Sequence, residues 1–116
     1  MLTAGYSTKL VRAITKRTPP ILRALDDLAI SAEIVRKETR VSLSLVYQWH
    51  TGTPIAERYH AALFRILKGT LKAAIDLHAE LARFGEPPAV LDELQRRIDF
   101  AAEVLAAAEE SSHARR

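Results

Sequence analysis

Histidines and carboxylates are the residues of this sequence with the clearest capacity for metal binding or acid–base chemistry. The four histidines are His50, His60, His78 and His113. Successive histidines are 10, 18 and 35 residues apart. None has a partner four residues away, the spacing that places two imidazoles on one helix face. Asp26 and Asp27 are adjacent, so on a helix they point in different directions and do not form an acid–base pair. We therefore expect no metal, no cofactor and no enzymatic activity.

Composition narrows the class of protein further. The chain has 116 residues, of which 48% are hydrophobic and 27% are charged, and it contains no cysteine. This length and apolar fraction predict one compact domain, or a small domain with an extension, rather than a disordered chain. The absence of cysteine excludes a disulfide scaffold and suits a reducing cytosol. No signal-type apolar core opens the chain and no apolar run approaches about 18 residues, so we expect no membrane association and a cytoplasmic location.

Charge is unevenly distributed along the chain. Residues 1–68 contain eleven Lys and Arg against five Asp and Glu, a net charge of +6. Residues 69–116 contain six basic and nine acidic residues, a net charge of −3. A polyanion is therefore attracted to the first part and repelled by the second. The alternative is that these charges only solubilise helix surfaces.

The pattern of apolar residues predicts an all-α domain of five to six helices, because Leu, Ala, Arg, Glu and Lys dominate and no strand pattern occurs. Proline, serine and glycine mark the helix ends. Gly69 either interrupts the chain or merely loosens it. The expected helices cover residues 8–17, a segment started by Pro19-Pro20, residues 32–38 with Ile34 and Val35 inward, a segment capped by Ser42 and running to His50, a segment started by Pro54, residues 70–84 and residues 89–110.

Residues 31–52, SAEIVRKETRVSLSLVYQWHTG, predict two short helices joined by a tight turn. Val46 and Trp49 are three residues apart, so they share a face that can pack the second helix onto the first. The segment resembles the helix-turn-helix of the phage-repressor (Cro/XRE-like) family through Val41, Ser42, Ser44, Val46, Trp49 and Gly52. In this resemblance Val35, Val41, Val46 and Trp49 form the helix-turn-helix core.

The resemblance implies that the second helix reads double-stranded DNA in the major groove. Its candidate base contacts are Ser42, Leu43, Ser44, Tyr47 and Gln48. Gln48 can make a bidentate contact to adenine, and Leu43 can contact a thymine methyl group. The candidate DNA backbone contacts are Ser31, Arg36, Lys37, Arg40, Lys9, Arg12, Lys16 and Arg17. Tyr47 can instead cover an apolar edge, and the residues from Lys9 to Arg17 can instead be the solvated face of a docked helix.

Three positions depart from the family pattern. The family carries alanine at the position of Arg36, leucine at that of Thr39 and glycine at that of Arg40. Arg36 must therefore angle outwards or change the approach of the two helices. A shift of one residue in the alignment of the first helix is the other explanation.

The C-terminal third predicts a helical hairpin with a regular apolar seam. The seam has spacings of 3, 4, 3, 4 and 3 and consists of Leu91, Leu94, Ile98, Ala101, Leu105 and Ala108. It can fold back on the helix-turn-helix or join a second chain. We expect oligomerisation through Leu91, Leu94, Ile98, Ala101 and Leu105. The expected organisation is a basic segment or short helix (1–18), a helix-turn-helix core (19–68) and the hairpin (69–116).

Together these features predict a sequence-specific DNA-binding transcriptional regulator of phage, prophage or mobile-element type. Repression by occluding the operator is a simpler expectation than activation. The expected partners are double-stranded DNA and a second copy of the chain, with a tetramer as an alternative. One alternative function is a DNA-packaging adaptor resembling small terminase subunits, and another is a helical protein-interaction module such as an antirepressor. A regulator of this kind would be associated with the nucleoid.

Overall fold

A computed structural model of the protein describes residues 18–114, with side chains described as far as residue 110. This part of the chain is all-helical, with five α-helices and no strand, which confirms the predicted fold class. The helices are α1 (Pro20–Asp27), α2 (Ala32–Thr39), α3 (Leu43–His50), α4 (His60–Arg83) and α5 (Pro88–Ala114). A 3₁₀ turn, Glu57–Tyr59, precedes α4. The expected helix at 8–17, and with it Lys9, Arg12, Lys16 and Arg17, lies outside the described residues.

The first three helices, α1, α2 and α3, begin where the capping residues predicted. Pro20 occupies the first position of α1, where a missing N–H costs no hydrogen bond. The hydroxyl oxygen of Ser31 accepts a hydrogen bond from the Ile34 N–H at 3.3 Å. Ser42 caps α3 in the same way, accepting from the Leu45 N–H at 3.1 Å. Serine caps of this kind stabilise a helix by about 1 kcal/mol, so local sequence determines where these two short helices start.

Pro54 does not start a helix, contrary to the prediction. Residues 53–56 are irregular, and Ala56 has extended backbone angles of φ −61° and ψ 141°. The His60 ring contributes to this conformation, because its Nε2 lies 3.2 Å from the Ile55 carbonyl oxygen and bonds to it. The chain between α3 and α4 is consequently an extended connection that ends in the 3₁₀ turn.

Gly69 does not interrupt the chain: α4 runs unbroken for 24 residues through it. The expected boundary between residues 68 and 69 therefore lies inside one helix. Leu63 and Leu67 are completely buried on the N-terminal side of Gly69, and Ala74 is buried on the other side. Burial of one leucine contributes about 1.5–3 kcal/mol, which exceeds the cost of about 1 kcal/mol for glycine inside a helix.

We expect Gly69→Ala to stabilise the protein by about 0.5–1 kcal/mol. A Cβ atom at this helical position would have no other heavy atom within 4 Å, so the gain in helix propensity carries no steric cost. Gly85→Ala is the matched control, because it also enters open space but has a φ of +77°. Urea unfolding should show opposite signs for the two variants. Destabilisation by Gly69→Ala would contradict the prediction.

The core lies between the helix-turn-helix and the hairpin. Leu22 and Leu25 of α1 are buried, and α1 packs against both α4 and α5, which also pack against each other. The other completely or almost completely buried members of this cluster are Ala24, Val35, Val46, Trp49, Leu63, Leu67 and Ala101. The N-terminal helices and the hairpin thus share one hydrophobic core.

The apolar seam of α5 packs against the core of the same chain. Ala101 is completely buried, Ile98 is 6% exposed, and Leu105 packs against the core cluster. The expected oligomerisation contacts at Ile98 and Ala101 are therefore unavailable, because a second chain could reach them only by opening the core, whereas Leu105 is half-buried. Leu91 and Leu94, nearer the turn of the hairpin, remain half-buried.

Candidate nucleic-acid interface

The turn between α2 and α3 holds these two helices on the core. Val35, Val46 and Trp49 have at most 1% of their surface exposed, and Val41 packs partly buried against them. The Trp49 ring lies 5.3 Å from the Tyr59 ring, centroid to centroid, in a tilted arrangement. The inner face of α3 is thereby committed to packing.

The outer face of α3 carries polar side chains. Ser42, Ser44 and Gln48 are exposed, and Tyr47 is 37% exposed. Leu43, also expected to contact bases, is half-buried. Ser44, Tyr47 and Gln48 are spaced i, i+3 and i+4, so they form one stripe along the helix. Thr51, seven residues after Ser44, is exposed at the C-terminal end of α3, where its hydroxyl donates to the Gln48 carbonyl at 3.0 Å; sequence reasoning did not select it.

Arg40 takes the backbone conformation that the glycine of the family would supply. Its φ of 58° and ψ of 39° are left-handed, and its N–H donates to the Arg36 carbonyl at 2.8 Å. Thr39 is 8% exposed, and its hydroxyl donates to the Val35 carbonyl at 2.6 Å. Arg36 turns along α2 and forms an ion pair with Glu33 instead of entering between the helices. Arg36, Thr39 and Arg40 are thus each accommodated where they stand, Arg36 outside the contact between the two helices and Thr39 by a hydrogen bond within α2.

We expect Arg40→Gly to stabilise the protein by about 1 kcal/mol, because a left-handed conformation costs a residue with a Cβ about 1–2 kcal/mol. If Arg40 contacts phosphate, the same change also weakens DNA binding and lowers its dependence on salt by about one counterion. Arg40→Asn is a control that removes the charge and tolerates the left-handed region. Chemical denaturation and binding at several salt concentrations measure the two effects, and a loss of stability in Arg40→Gly would contradict the prediction.

The candidate backbone contacts differ in how available they are. Lys37 and Arg40 are exposed. Ser31 is exposed, but its hydroxyl oxygen caps α2. Arg36 is engaged by Glu33, and their hydrogen bond lowers the pKa of Glu33 and raises that of Arg36. A phosphate at Arg36 would have to compete with that carboxylate.

Ile34 lies on the outside of α2, contrary to the expectation that it contributes to the interior. Its side chain is 42% exposed, whereas the adjacent Val35 is 1% exposed. The capping bond to Ser31 sets the helix phase that turns Ile34 outwards. An apolar side chain thus lies one turn from the α2 N-terminus.

Arg58 is a basic residue that sequence reasoning did not select. Its guanidinium carbon lies 4.9 Å from the centre of the Tyr59 ring, and its Nη2 donates to the Tyr59 hydroxyl at 3.0 Å. Tyr59 in turn contacts Trp49 of α3. Stacking therefore holds the positive charge of Arg58 near the last turn of α3. In the sequence, the only indication of this is that a basic residue follows shortly after Gly52.

His50 links the end of α3 to the start of the described chain. It is 8% exposed, and its backbone carbonyl accepts a hydrogen bond from the Thr18 hydroxyl at 2.5 Å. Its ring Nδ1 is buried without a hydrogen-bond partner among the described residues. Burial lowers the His50 pKa from its ordinary value of 6.5, and the carboxylate of Asp26 opposes this only in part. The ring is accordingly neutral at physiological pH.

We expect the free energy of unfolding to fall as the pH is lowered below about 6.5. In this range the unfolded chain protonates His50 while the folded chain does not, so protons stabilise the unfolded state. Urea unfolding between pH 8 and pH 5 measures the effect, and His50→Gln should show a shallower decline than the wild type. Equal slopes for the two proteins would contradict this role of His50.

No group of three or more His, Asp or Glu side chains within residues 18–110 lies in an arrangement that could hold a metal ion. Among the described helices, none combines the length and the apolar content needed to cross a bilayer. Comparison of the chain with protein-family models, curated proteins and solved structures finds no match.

Proposed function

We propose that this protein is a sequence-specific DNA-binding transcriptional regulator in which α3 reads the major groove. The supporting observation is that the two faces of α3 have different roles. Val46 and Trp49 anchor it to the core, while Ser44, Tyr47 and Gln48 form an outward stripe. A rigidly held helix with polar side chains at base-contact spacing is what direct readout of base edges requires.

Charge supports the same orientation on DNA. Lys37 and Arg40 are exposed at the end of α2, and Arg58 is stacked beyond the end of α3. These cations precede and follow α3 in the chain, and on this proposal they contact phosphates bordering the groove. Such contacts position a protein on DNA, whereas Gln48 and its neighbours would provide the sequence preference.

The proposal is tested by selecting bound fragments from the source genome at about 150 mM salt, where non-specific affinity is only about 10⁻⁴–10⁻⁶ M. We expect the wild type to enrich a short site with two related halves. Tyr47→Ala/Gln48→Ala should lose the enrichment and retain the fold by circular dichroism. Binding without enrichment would favour a packaging adaptor, and an absence of binding by folded protein would favour a protein-interaction module.

We further propose that the regulator binds as a homodimer, because two helix-turn-helix units commonly read half-sites about 34 Å apart. The end of the hairpin offers an apolar surface for this contact. Leu77 is 50% exposed, Phe84 78% and Val90 45%, and cavities of about 520 and 460 Å³ share Leu77 and Leu94 in their walls. This surface replaces the buried seam as the candidate dimer contact.

Sedimentation equilibrium tests the dimer. The wild type should be dimeric at micromolar concentration, and Leu77→Asp/Val90→Asp should be monomeric and still folded. Ile75→Asp is the matched control, since Ile75 is also 50% exposed but lies outside both cavities. Repression would follow if the bound dimer covers a promoter. A ring of about eight subunits would instead favour the packaging adaptor.

A further inference from the structure

A second apolar groove lies where the described chain begins, on the side formed by α1, α4 and α5. It consists of two cavities of about 220 and 390 Å³ that share Ile21 and Phe64 in their walls. Ile55 lines the first cavity, and Phe100 and Val104 line the second. All five side chains are half-buried.

The chain enters this groove from its own N-terminal side. Pro19 lines the first cavity and Pro20 the second. Thr18 is 6% exposed and is tied to the end of α3 by its hydrogen bond to the His50 carbonyl. Pro19 has φ −56° and ψ 147°, and a residue before proline avoids helical angles, so residues preceding Pro19 cannot prolong α1 along its axis. Seventeen residues of the sequence precede Thr18.

The sequence of those residues matches the groove in polarity and charge. Residues 8–17 place Leu10, Val11 and Ile14 on one side of a helix and Lys9, Arg12 and Lys16 on the other. Residues 1–17 contain four basic residues and no acidic one. Glu103 lines the groove, and Glu110, seven residues further along α5, is exposed on the same side of that helix. A basic segment is therefore attracted to this edge of α5.

The dimensions also agree. A helix of ten residues is about 15 Å long, and the stretch of α5 from Phe100 to Ala108 along the second cavity is about 12 Å long. Three apolar side chains would occupy part of the two cavities, whose volumes are about 220 and 390 Å³. A second copy of the chain would have to displace a segment that is covalently attached at the rim, which gives the attached segment the higher effective concentration.

We propose that residues 8–17 of the same chain dock as a helix in the groove between α1, α4 and α5. Leu10, Val11 and Ile14 face Phe64, Phe100 and Val104. The basic side of the docked helix then faces solvent and starts beside the end of α3, where Thr18 is bonded to His50. Arg12 and Lys16 then become contacts to the DNA backbone next to α3. This last consequence rests on the proposed function.

Amide hydrogen exchange of the full chain, without DNA, tests the docking. We expect the amides of residues 10–17 to exchange about tenfold or more slowly than an unstructured peptide of the same sequence. Leu10→Ser/Ile14→Ser should abolish this protection, and Glu103→Lys should reduce it. Arg12→Lys alters the opposite side of the helix without changing its charge and is the matched control that keeps the protection. Amides of α3 and α4 should be unchanged in every variant, which shows that the core remains folded.

Any of the following three results would contradict the proposed docking. Unprotected amides at residues 10–17 in the wild type would mean that the groove is not filled by this segment. Protection that disappears on dilution would mean that a second copy fills it. Protection that persists in Leu10→Ser/Ile14→Ser would exclude the apolar contact. Because no DNA is present, any of these results leaves the proposed function to be judged by the fragment selection alone.

Discussion

Trp49→Ala is expected to destabilise the protein by about 3–5 kcal/mol. The indole is 1% exposed, lies at the centre of the core cluster and contacts the Tyr59 ring at 5.3 Å between centroids. Its removal leaves a cavity between α3 and the helices that support it. Domains of this size have a total stability of about 5–15 kcal/mol, so the loss is a large fraction of the whole. Urea unfolding monitored by circular dichroism measures it.

Ile75→Ala is the matched control, since its side chain is half-exposed on α4 and does not belong to the core cluster. We expect a change within about 1 kcal/mol there. Trp49→Phe restores part of the volume and should recover part of the stability. A cost below about 1 kcal/mol for Trp49→Ala would contradict the placement of α3, because a helix that is not anchored by Trp49 cannot hold its outer stripe in one orientation.

The second large effect concerns recognition. Tyr47→Ala/Gln48→Ala should weaken binding to the selected site by about 100-fold, because a bidentate contact from Gln48 contributes about 1–3 kcal/mol and each 1.4 kcal/mol is a factor of ten. Affinity for unrelated DNA should change little, since base contacts carry the sequence preference and phosphate contacts carry the common part. Fluorescence anisotropy with the selected site and a scrambled site measures both affinities.

Gln95→Ala provides the control for this pair. Gln95 is an exposed glutamine on α5, where its amide donates to the Asp99 carboxylate, and it lies outside the proposed interface. We expect it to bind both DNAs as the wild type does. The dependence of affinity on salt should be equal in all three proteins, because none of the changes removes a positive charge. A uniform loss on both DNAs would show that α3 positions the protein without reading bases.

Local sequence was sufficient for the helix-turn-helix segment. The serine caps Ser31 and Ser42 and the spacing of Val46 and Trp49 predicted two short helices, and both helices have the expected caps. These signals act within four residues, since a cap bonds to an N–H three residues later and a packing face repeats every three to four residues. The all-α class followed from the same local information.

The continuity of α4 and the extended chain after α3 could not be predicted from local sequence, because they depend on contacts beyond the adjacent residues. Gly69 suggested a possible break, but burial of Leu63, Leu67 and Ala74 keeps α4 continuous. Pro54 suggested a helix start, but the His60 ring bonds to the Ile55 carbonyl and the chain there stays extended. In both places a contact between residues of different turns outweighs the local preference, which is a difference of only about 1 kcal/mol.

By itself, the sequence determined the helical class, the ends of α2 and α3 and the separation of the inner and outer faces of α3, but not the faces of α2, where Ile34 lies outside. The tertiary structure decided which apolar surfaces are covered. The 3-4 spacing of α5 is the same whether its partner is this chain or another, and only the packing of α5 across α1 and α4 shows that Ile98 and Ala101 are buried internally. The physical reason is that hydrophobic burial has no direction: a pattern specifies that a face must be covered, and the three-dimensional arrangement of all the helices specifies by what.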